Sequence, residues 1–72
     1  MQVTIDSKFL YPALHALGNK IQQGREGLAW DIENEPEWYE RDRDLLNGRI
    51  RAYNEISSAL GTENIYHQEE VQ

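Results

Sequence analysis

Residues 36–60 contain two adjacent apolar stripes at helical spacing, and this pattern constrains the fold more than any other feature of the chain. One stripe consists of Tyr39, Leu46, Ile50, Tyr53 and Leu60. The stripe beside it consists of Trp38, Leu45, Ala52, Ile56 and Ala59. Residues three, four and seven apart share one face of an α-helix. One antiparallel helix covers a single stripe, so two stripes predict at least two neighbouring helices.

A second amphipathic helix is predicted over about residues 8–32. Its apolar stripe consists of Leu10, Leu14, Leu17, Ile21 and Leu28. Gly24 lies on the same stripe, where the missing side chain would let another helix approach closely. Asp6 or Ser7 is the expected N-cap, because a short polar side chain accepts a hydrogen bond from the first turn. Pro12 is best tolerated in that turn, so we expect the regular helix to begin close to it.

The two predicted helices have similar lengths and are joined near Asn34, which predicts an antiparallel helical hairpin. The predicted fold class is therefore all-α, with a single domain over residues 1–72. Helix 2 is expected over about residues 36–60, followed by a tail over residues 61–72. Gly61 stands where a glycine C-cap is expected to end helix 2.

Some short segments favour β-structure instead. Asn47 followed by Gly48 is a strong signal for a β-hairpin, and the RIRAY sequence after it alternates as a strand does. The preceding ERDRDLL does not alternate, and both stripes keep their phase across Gly48, so we predict a helix there and leave a kink open. The termini are expected to be short extended or disordered segments. Two short strands would come from MQVTID, in which apolar and polar residues alternate, and from the pair Ile65 and Tyr66.

The chain is too short to be strongly stable alone. At 72 residues, folding buries only about 60% of the surface that the unfolded chain exposes. Disulfides are excluded because the chain has no cysteine, so self-association is the expected remedy. We predict a homodimer that forms a four-helix bundle. Its interface is expected to contain Leu45, Leu46, Ile50, Tyr53, Ile56 and Leu60.

The charge balance narrows the classes of partner. Thirteen Asp and Glu against seven Lys and Arg give a net charge of −6. This charge repels nucleic-acid backbones and anionic membranes, so neither direct nucleic-acid binding nor membrane binding is expected. A partner with a basic surface is favoured. The lack of cysteine and of a signal-peptide pattern in MQVTID predicts a cytoplasmic protein.

The sequence DIENEPEWYERDRD, residues 31–44, holds seven of the thirteen acidic residues. One interpretation is helix-start electrostatics, since acidic residues stabilise the positive end of a helix dipole. Pro36, or Asn34 as a cap with Glu37, fits such a start. The other interpretation is a protein-binding surface with aromatic anchors. That candidate surface contains Trp30, Asp31, Glu33, Glu35, Glu37, Trp38, Tyr39, Asp42 and Asp44.

Patterns typical of catalysis and cofactor binding are missing from the sequence. No cysteine or nucleophile elbow is present, and Asp42 and Asp44 are two residues apart and so point to different helix faces. Residues i±4 from His15 are not metal ligands, and His67 lies in the tail. We therefore predict a non-enzymatic protein without metal or cofactor. As an alternative, the basic group Arg43, Arg49 and Arg51 would hold a phosphate between subunits.

In its small size, acidity, lack of cysteine and single domain, the chain resembles the inhibitors that bacteriophages encode against host defence, including anti-CRISPR proteins. The resemblance rests on these bulk properties. It implies that the protein acts in the host cytoplasm on a host protein. Some of these inhibitors imitate the charge of DNA. The acids that would stand in for phosphates are Asp31, Glu33, Glu35, Glu37, Asp42 and Asp44.

Three functions remain from the sequence. The first is a protein-binding module that inhibits a host protein through the acidic surface. The second is an oligomeric protein that sequesters a phosphorylated small molecule or nucleotide between subunits, with aromatic residues stacked on its ring. The third is a structural or assembly protein without a ligand.

Overall fold

The computed structural model describes residues 6–72 and contains a hairpin of two long helices. Helix α1 spans Ser7–Asn34 and helix α2 spans Tyr39–Ala59. A short connection, Glu35 followed by a 3₁₀ turn at Pro36–Trp38, reverses the chain between them. A four-residue helix, α3, follows at Glu63–Tyr66. The predicted helical hairpin is therefore confirmed.

The helix ends follow from their capping residues. The Asp6 carboxylate accepts a hydrogen bond of 3.0 Å from the Lys8 amide, so α1 begins ahead of Pro12 and contains it. At the end of α2, Gly61 has φ 74 and its amide donates to the Ser58 carbonyl. The Thr62 amide donates in turn to the Ser57 carbonyl, which completes a Schellman motif. The predicted glycine cap at Gly61 is confirmed.

The core lies between the facing stripes of α1 and α2. Its buried apolar residues are Leu14, Ile21, Leu28, Leu46, Ile50 and Tyr53. Gly24 permits the two helices to meet, because a Cβ there would lie 2.8 Å from Leu46 Cδ1. The close approach predicted at this glycine is thus an approach of α2 from the same chain.

The predicted oligomer interface divides into two groups. Three of its residues are buried against α1 within a single chain: Leu46, Ile50 and Tyr53. They present no surface to a second copy, so their assignment to a subunit interface is corrected. Ile56 and Leu60 are partly buried against the same core, whereas Leu45 is 57% exposed. On the second stripe, Ala52 and Ala59 are also exposed.

Helix α2 continues through Asn47 and Gly48 without a break, so a strand hairpin at this position is excluded. Asn47 instead binds the C-terminal tail. Its Nδ2 donates to the Val71 carbonyl at 2.9 Å, and its Oδ1 accepts from the Val71 amide at 2.7 Å. Asn54 makes the same pair of bonds with Gln68, each of 2.9 Å.

The tail runs antiparallel to α2, and the spacing of its contacts fits an extended chain. Asn47 and Asn54 are seven residues apart, which is about 10.5 Å along a helix. Gln68 and Val71 are three residues apart, which is about 10 Å in an extended chain. The partner strand expected at Ile65 and Tyr66 is wrong, because both residues lie in α3. The hydrogen bonds of Gln68 and Val71 hold the tail as an extended segment, one of the two expected forms, and not as a frayed one. The strand predicted at Val3 and Ile5 lies outside the described residues.

Candidate functional site

The candidate protein-binding residues lie at the end of the hairpin where α1 passes into α2. We call this region the acidic tip: Trp30, Asp31, Glu33, Glu35, Glu37, Trp38, Tyr39, Asp42 and Asp44. Glu33, Glu35 and Glu37 are exposed in the last turn of α1 and in the connection. Tyr39 packs partly against the core. The chain reversal at Pro36 brings the two halves of the acidic run together.

A cleft of about 330 Å³ opens between the helices beside the acidic tip. Its lining residues are Gly24, Gly27, Trp30, Asp31, Asp42, Leu45, Leu46 and Arg49. Trp30 is 54% exposed, and Leu45 on α2 is also exposed. A Cβ at Gly27 would meet nothing within 4 Å, so no contact inside the chain requires glycine there. We call this feature the tip cleft.

Two carboxyl groups meet in the tip cleft. Asp31 is only 6% exposed, and its Oδ2 accepts no hydrogen bond from a protein donor among the described residues. A hydrogen bond with the Asp42 carboxyl, together with burial, raises the pKa of Asp31 above its ordinary value of 3.8. The same bond lowers the pKa of Asp42. Two neighbouring carboxyls resist ionising together, so this pair keeps a proton to a higher pH than a lone aspartate does.

Arg41 is held by a tryptophan and an aspartate of the acidic tip. Its Nε and Nη2 atoms lie 3.2 and 3.1 Å from Asp42 Oδ1. The guanidinium carbon lies 4.2 Å from the centroid of the Trp38 ring, in cation–π contact. Arg41 also contributes to the lowered pKa of Asp42. A Trp ring and an Asp carboxylate together thus hold one guanidinium group at this end of the molecule.

The three arginines predicted to hold a phosphate do not converge. Arg43 pairs with Asp44 at 3.3 Å, and Arg51 pairs with Glu70 of the tail at 2.6 Å. The face that carries Arg51 and Asn47 is covered by the tail. Arg49 alone of the three lines the tip cleft, and no hydrogen bond or ion pair joins it to another described residue.

Sequence reasoning missed several residues that organise this region. Ile32 is 61% exposed beside the acids of the tip, and Gly27 opens the floor of the tip cleft. Arg25 donates to the Glu69 carbonyl at 2.8 Å and so helps hold the tail. Asn47 and Asn54 carried a usable signal, because two asparagines one heptad apart lie on one helix face.

A second, smaller hollow lies at the opposite end of the hairpin. It has a volume of about 240 Å³ and is lined by Tyr11, Leu14, His15, Tyr53 and Tyr66. His15, which the sequence placed within helix 1 without a metal-binding neighbour, is found here. The lining is mostly aromatic and holds no carboxylate.

Within residues 6–72, no three His, Cys, Asp or Glu side chains are grouped so that they could bind a metal. None of the helices in this part of the chain has the length and apolar character needed to cross a bilayer. Comparisons with protein-family models, with curated proteins and with solved structures find no match to this chain.

Proposed function

We propose that this chain is a non-enzymatic protein-binding module whose acidic tip binds a basic protein surface. The observation that carries the proposal is the exposure of Trp30, Ile32 and Trp38 among carboxylates at one end of the hairpin. Large apolar side chains are normally buried, and tryptophan is enriched among residues that contribute most to protein interfaces. The acids around them supply charge complementarity toward a basic partner.

The charge of the molecule is concentrated at the acidic tip. Residues 31–44 contain seven acidic and two basic residues, so five of the six net negative charges fall in this segment. Such a field speeds the encounter with a basic partner and is screened by salt, with a Debye length of about 10 Å at 0.1 M. Binding through the tip should therefore weaken as ionic strength rises.

The test compares two variants that carry the same net charge. The tip variant combines Glu33→Gln, Glu35→Gln and Glu37→Gln. The control variant combines Glu55→Gln, Glu63→Gln and Glu69→Gln, three exposed acids outside the acidic tip. Partner binding, measured by affinity isolation followed by surface plasmon resonance, should fall in the tip variant and persist in the control. Equal losses in both variants would leave only a non-specific charge effect and refute the proposal.

The partner proposed is a host defence protein, in keeping with the resemblance to small acidic phage inhibitors. Under this proposal the acids of the tip occupy a basic groove that normally receives a nucleic-acid backbone. Expression of the chain in a host with an active defence system should lower defence, and the tip variant should not. Defence that is unaffected by the wild-type chain in every system tested would refute this assignment while leaving protein binding open.

The same proposal includes pairing of the chain through the exposed part of the second stripe. Ala52 and Ala59 are exposed on α2, beyond the tip cleft as seen from the acidic tip. Small side chains such as these allow two helices to approach closely. Light scattering should give twice the 8.4 kDa chain mass. Ala52→Glu should yield a folded monomer, whereas Ala29→Glu, at an exposed alanine of α1, should not. A wild-type mass of 8.4 kDa at high concentration would refute pairing.

A further inference from the structure

The 3₁₀ turn and the first turn of α2 together already contain a side-chain arrangement that holds a guanidinium group. The Trp38 ring lies against the Arg41 guanidinium, and Asp42 Oδ1 accepts hydrogen bonds from two of its nitrogens. Arginine suits this arrangement because its planar group stacks on an aromatic ring while its N–H groups bind a carboxylate.

The α1 side of the tip cleft presents the same two residue types, and no cation of the described chain is hydrogen-bonded to them. Trp30 and Asp31 both line the tip cleft, and Trp30 is largely exposed. Asp31 is more than nine-tenths buried, yet its Oδ2 receives no hydrogen bond from a described protein donor. Unpaired buried carboxylate oxygens are rare because leaving them unsatisfied is costly. This side of the cleft therefore has acceptors and an aromatic face in place for a cationic group.

We infer that the tip cleft binds a guanidinium group, presented by an arginine side chain on the surface of the protein partner. This inference rests on the proposed function and names the partner chemistry that the acidic tip recognises. The guanidinium would lie against Trp30 and donate to the carboxyls of Asp31 and Asp42. A lysine ammonium is less suited, because it cannot stack as a plane or span two carboxyls with fixed donors.

Arg49 also lines the tip cleft, and its cation opposes the binding of a second one. Arg49 is seven residues from Asp42 along α2, which is about 10 Å. Salt reduces this repulsion in a solvent-exposed cleft, where the Debye length at 0.1 M is about 10 Å, while the carboxyls of Asp31 and Asp42 attract the bound cation. Gly27, which also lines the tip cleft, has no side chain that would block the approach.

Binding exchanges the Asp31 proton for guanidinium donors. In the unbound protein, the Asp31 carboxyl carries a proton wherever the pH lies below its raised pKa. On binding, the O–H bond breaks, the proton passes to solvent, and N–H groups of the guanidinium take its place. The other charged groups that act on Asp31 are Glu35 in the connection and Arg41 on α2. Affinity should therefore rise with pH until the Asp31 carboxyl is fully ionised.

The direct test uses the full-length protein, labelled with ¹⁵N, and N-acetyl-L-arginine amide as the probe. Two matched probes serve as controls. The lysine amide keeps the positive charge but lacks the planar group, and the citrulline amide keeps the planar group but lacks the charge. The indole N–H signal of Trp30 should shift saturably with the arginine probe, while that of Trp38, already in contact with Arg41, should shift less. Asp31→Asn should weaken probe binding about tenfold, as expected for the loss of one charge-assisted hydrogen bond.

Two further variants keep the test decisive. Glu63→Gln removes an exposed acid of α3, outside the acidic tip and the tip cleft, and it should leave probe affinity unchanged. Trp30→Ala removes an exposed side chain and should weaken binding even if Asp31→Asn disturbs the fold. The inference is overturned if the arginine probe shifts neither indole, or if Asp31→Asn and Glu63→Gln have equal effects. It is also overturned if a nucleoside monophosphate binds at Trp30 and the arginine probe does not.

Failure of this inference can be distinguished from failure of the proposed function. If the triple tip variant loses its protein partner while Asp31→Asn and Trp30→Ala retain it, the acidic tip binds protein but the tip cleft takes no arginine. If all of these variants retain the partner, both the proposed function and the arginine site are wrong.

Discussion

The attachment of the C-terminal tail can be tested at Asn54. Its Nδ2 donates to the Gln68 carbonyl and its Oδ1 accepts from the Gln68 amide, each at 2.9 Å. Asn54→Ala removes both bonds. A typical intramolecular hydrogen bond contributes about 1 kcal/mol to the free energy of unfolding, so the two bonds contribute about 2 kcal/mol.

Helix propensity acts in the opposite direction and must be separated from this loss. Alanine is the better helix former, and replacing asparagine in a helix interior gains up to about 0.7 kcal/mol. The net destabilisation by Asn54→Ala should therefore be about 1 kcal/mol, or about 4–8 °C in melting temperature for a domain of this size. Asn19→Ala is the matched control, because Asn19 is exposed on α1 and no side-chain hydrogen bond joins it to a described residue.

Thermal and urea unfolding, followed by far-UV circular dichroism, measure the difference between the two variants. Asn54→Ala should be less stable than Asn19→Ala by about 2 kcal/mol. Amide hydrogen exchange at Gln68 should also accelerate in Asn54→Ala alone, because its N–H loses its acceptor. If the two variants unfold together and the Gln68 amide exchanges at its wild-type rate, the tail is not held as described.

Three further outcomes follow from the packing and charges. Gly48→Ala should raise the free energy of unfolding by about 1 kcal/mol in urea titrations, because the helical site is open and alanine is the better helix former. Gly24→Ala should instead destabilise in the same assay, since its Cβ would lie 2.8 Å from Leu46 Cδ1. Stability measured against pH should separate Asp31→Asn from wild type. The raised pKa of Asp31 gives stability that is full below the ordinary 3.8 and lost as pH rises through the raised value. The lowered pKa of Asp42 gives stability that is lost as pH falls through that lowered value. The contribution of the carboxyl pair to the free energy of unfolding should therefore be largest between the two pKa values. Toward neutral pH, the stability of Asp31→Asn should rise relative to that of wild type.

Apolar periodicity was sufficient to predict the hairpin and most of its core. Leu14, Ile21 and Leu28 recur at intervals of seven, and they are the apolar residues that α1 buries. The stripe of α2 that contains Leu46 and Ile50 was predicted from the same periodicity, but it faces α1 of its own chain and not a second copy. This part of the fold depends on burial of apolar area, which leaves a periodic pattern in the sequence.

The position of the tail could not be predicted in the same way. It depends on Asn47 and Asn54, whose side chains bind backbone groups of residues that carry no matching pattern. Any residue except proline offers the backbone amide and carbonyl that such an asparagine needs. The sequence therefore identifies the two asparagines on one helix face but does not say which segment they bind.

The carboxyl pair was missed because Asp31 was assigned to the exposed acidic run. In the structure it is buried, since it continues the heptad positions of Leu17 and Gly24 into the last turn of α1. The seven-residue interval from Leu17 through Gly24 to Asp31 can be read directly from the sequence. The facing position of Asp42 depends on the register between the helices, which is set by the length of the connection and by the contact of Gly24 with Leu46.

The most direct test of the central claim, that the acidic tip is the protein-binding surface, is site-specific photo-crosslinking in the native host. Ile32 at the tip and Ile65 in α3 are 61% and 75% exposed, and neither belongs to the core. Each is replaced in turn by p-benzoyl-phenylalanine, and adducts are identified by mass spectrometry. The account predicts an adduct with a basic host protein from position 32 and none from position 65. Adducts from position 65 alone, or the same proteins in equal yield from both positions, would contradict it.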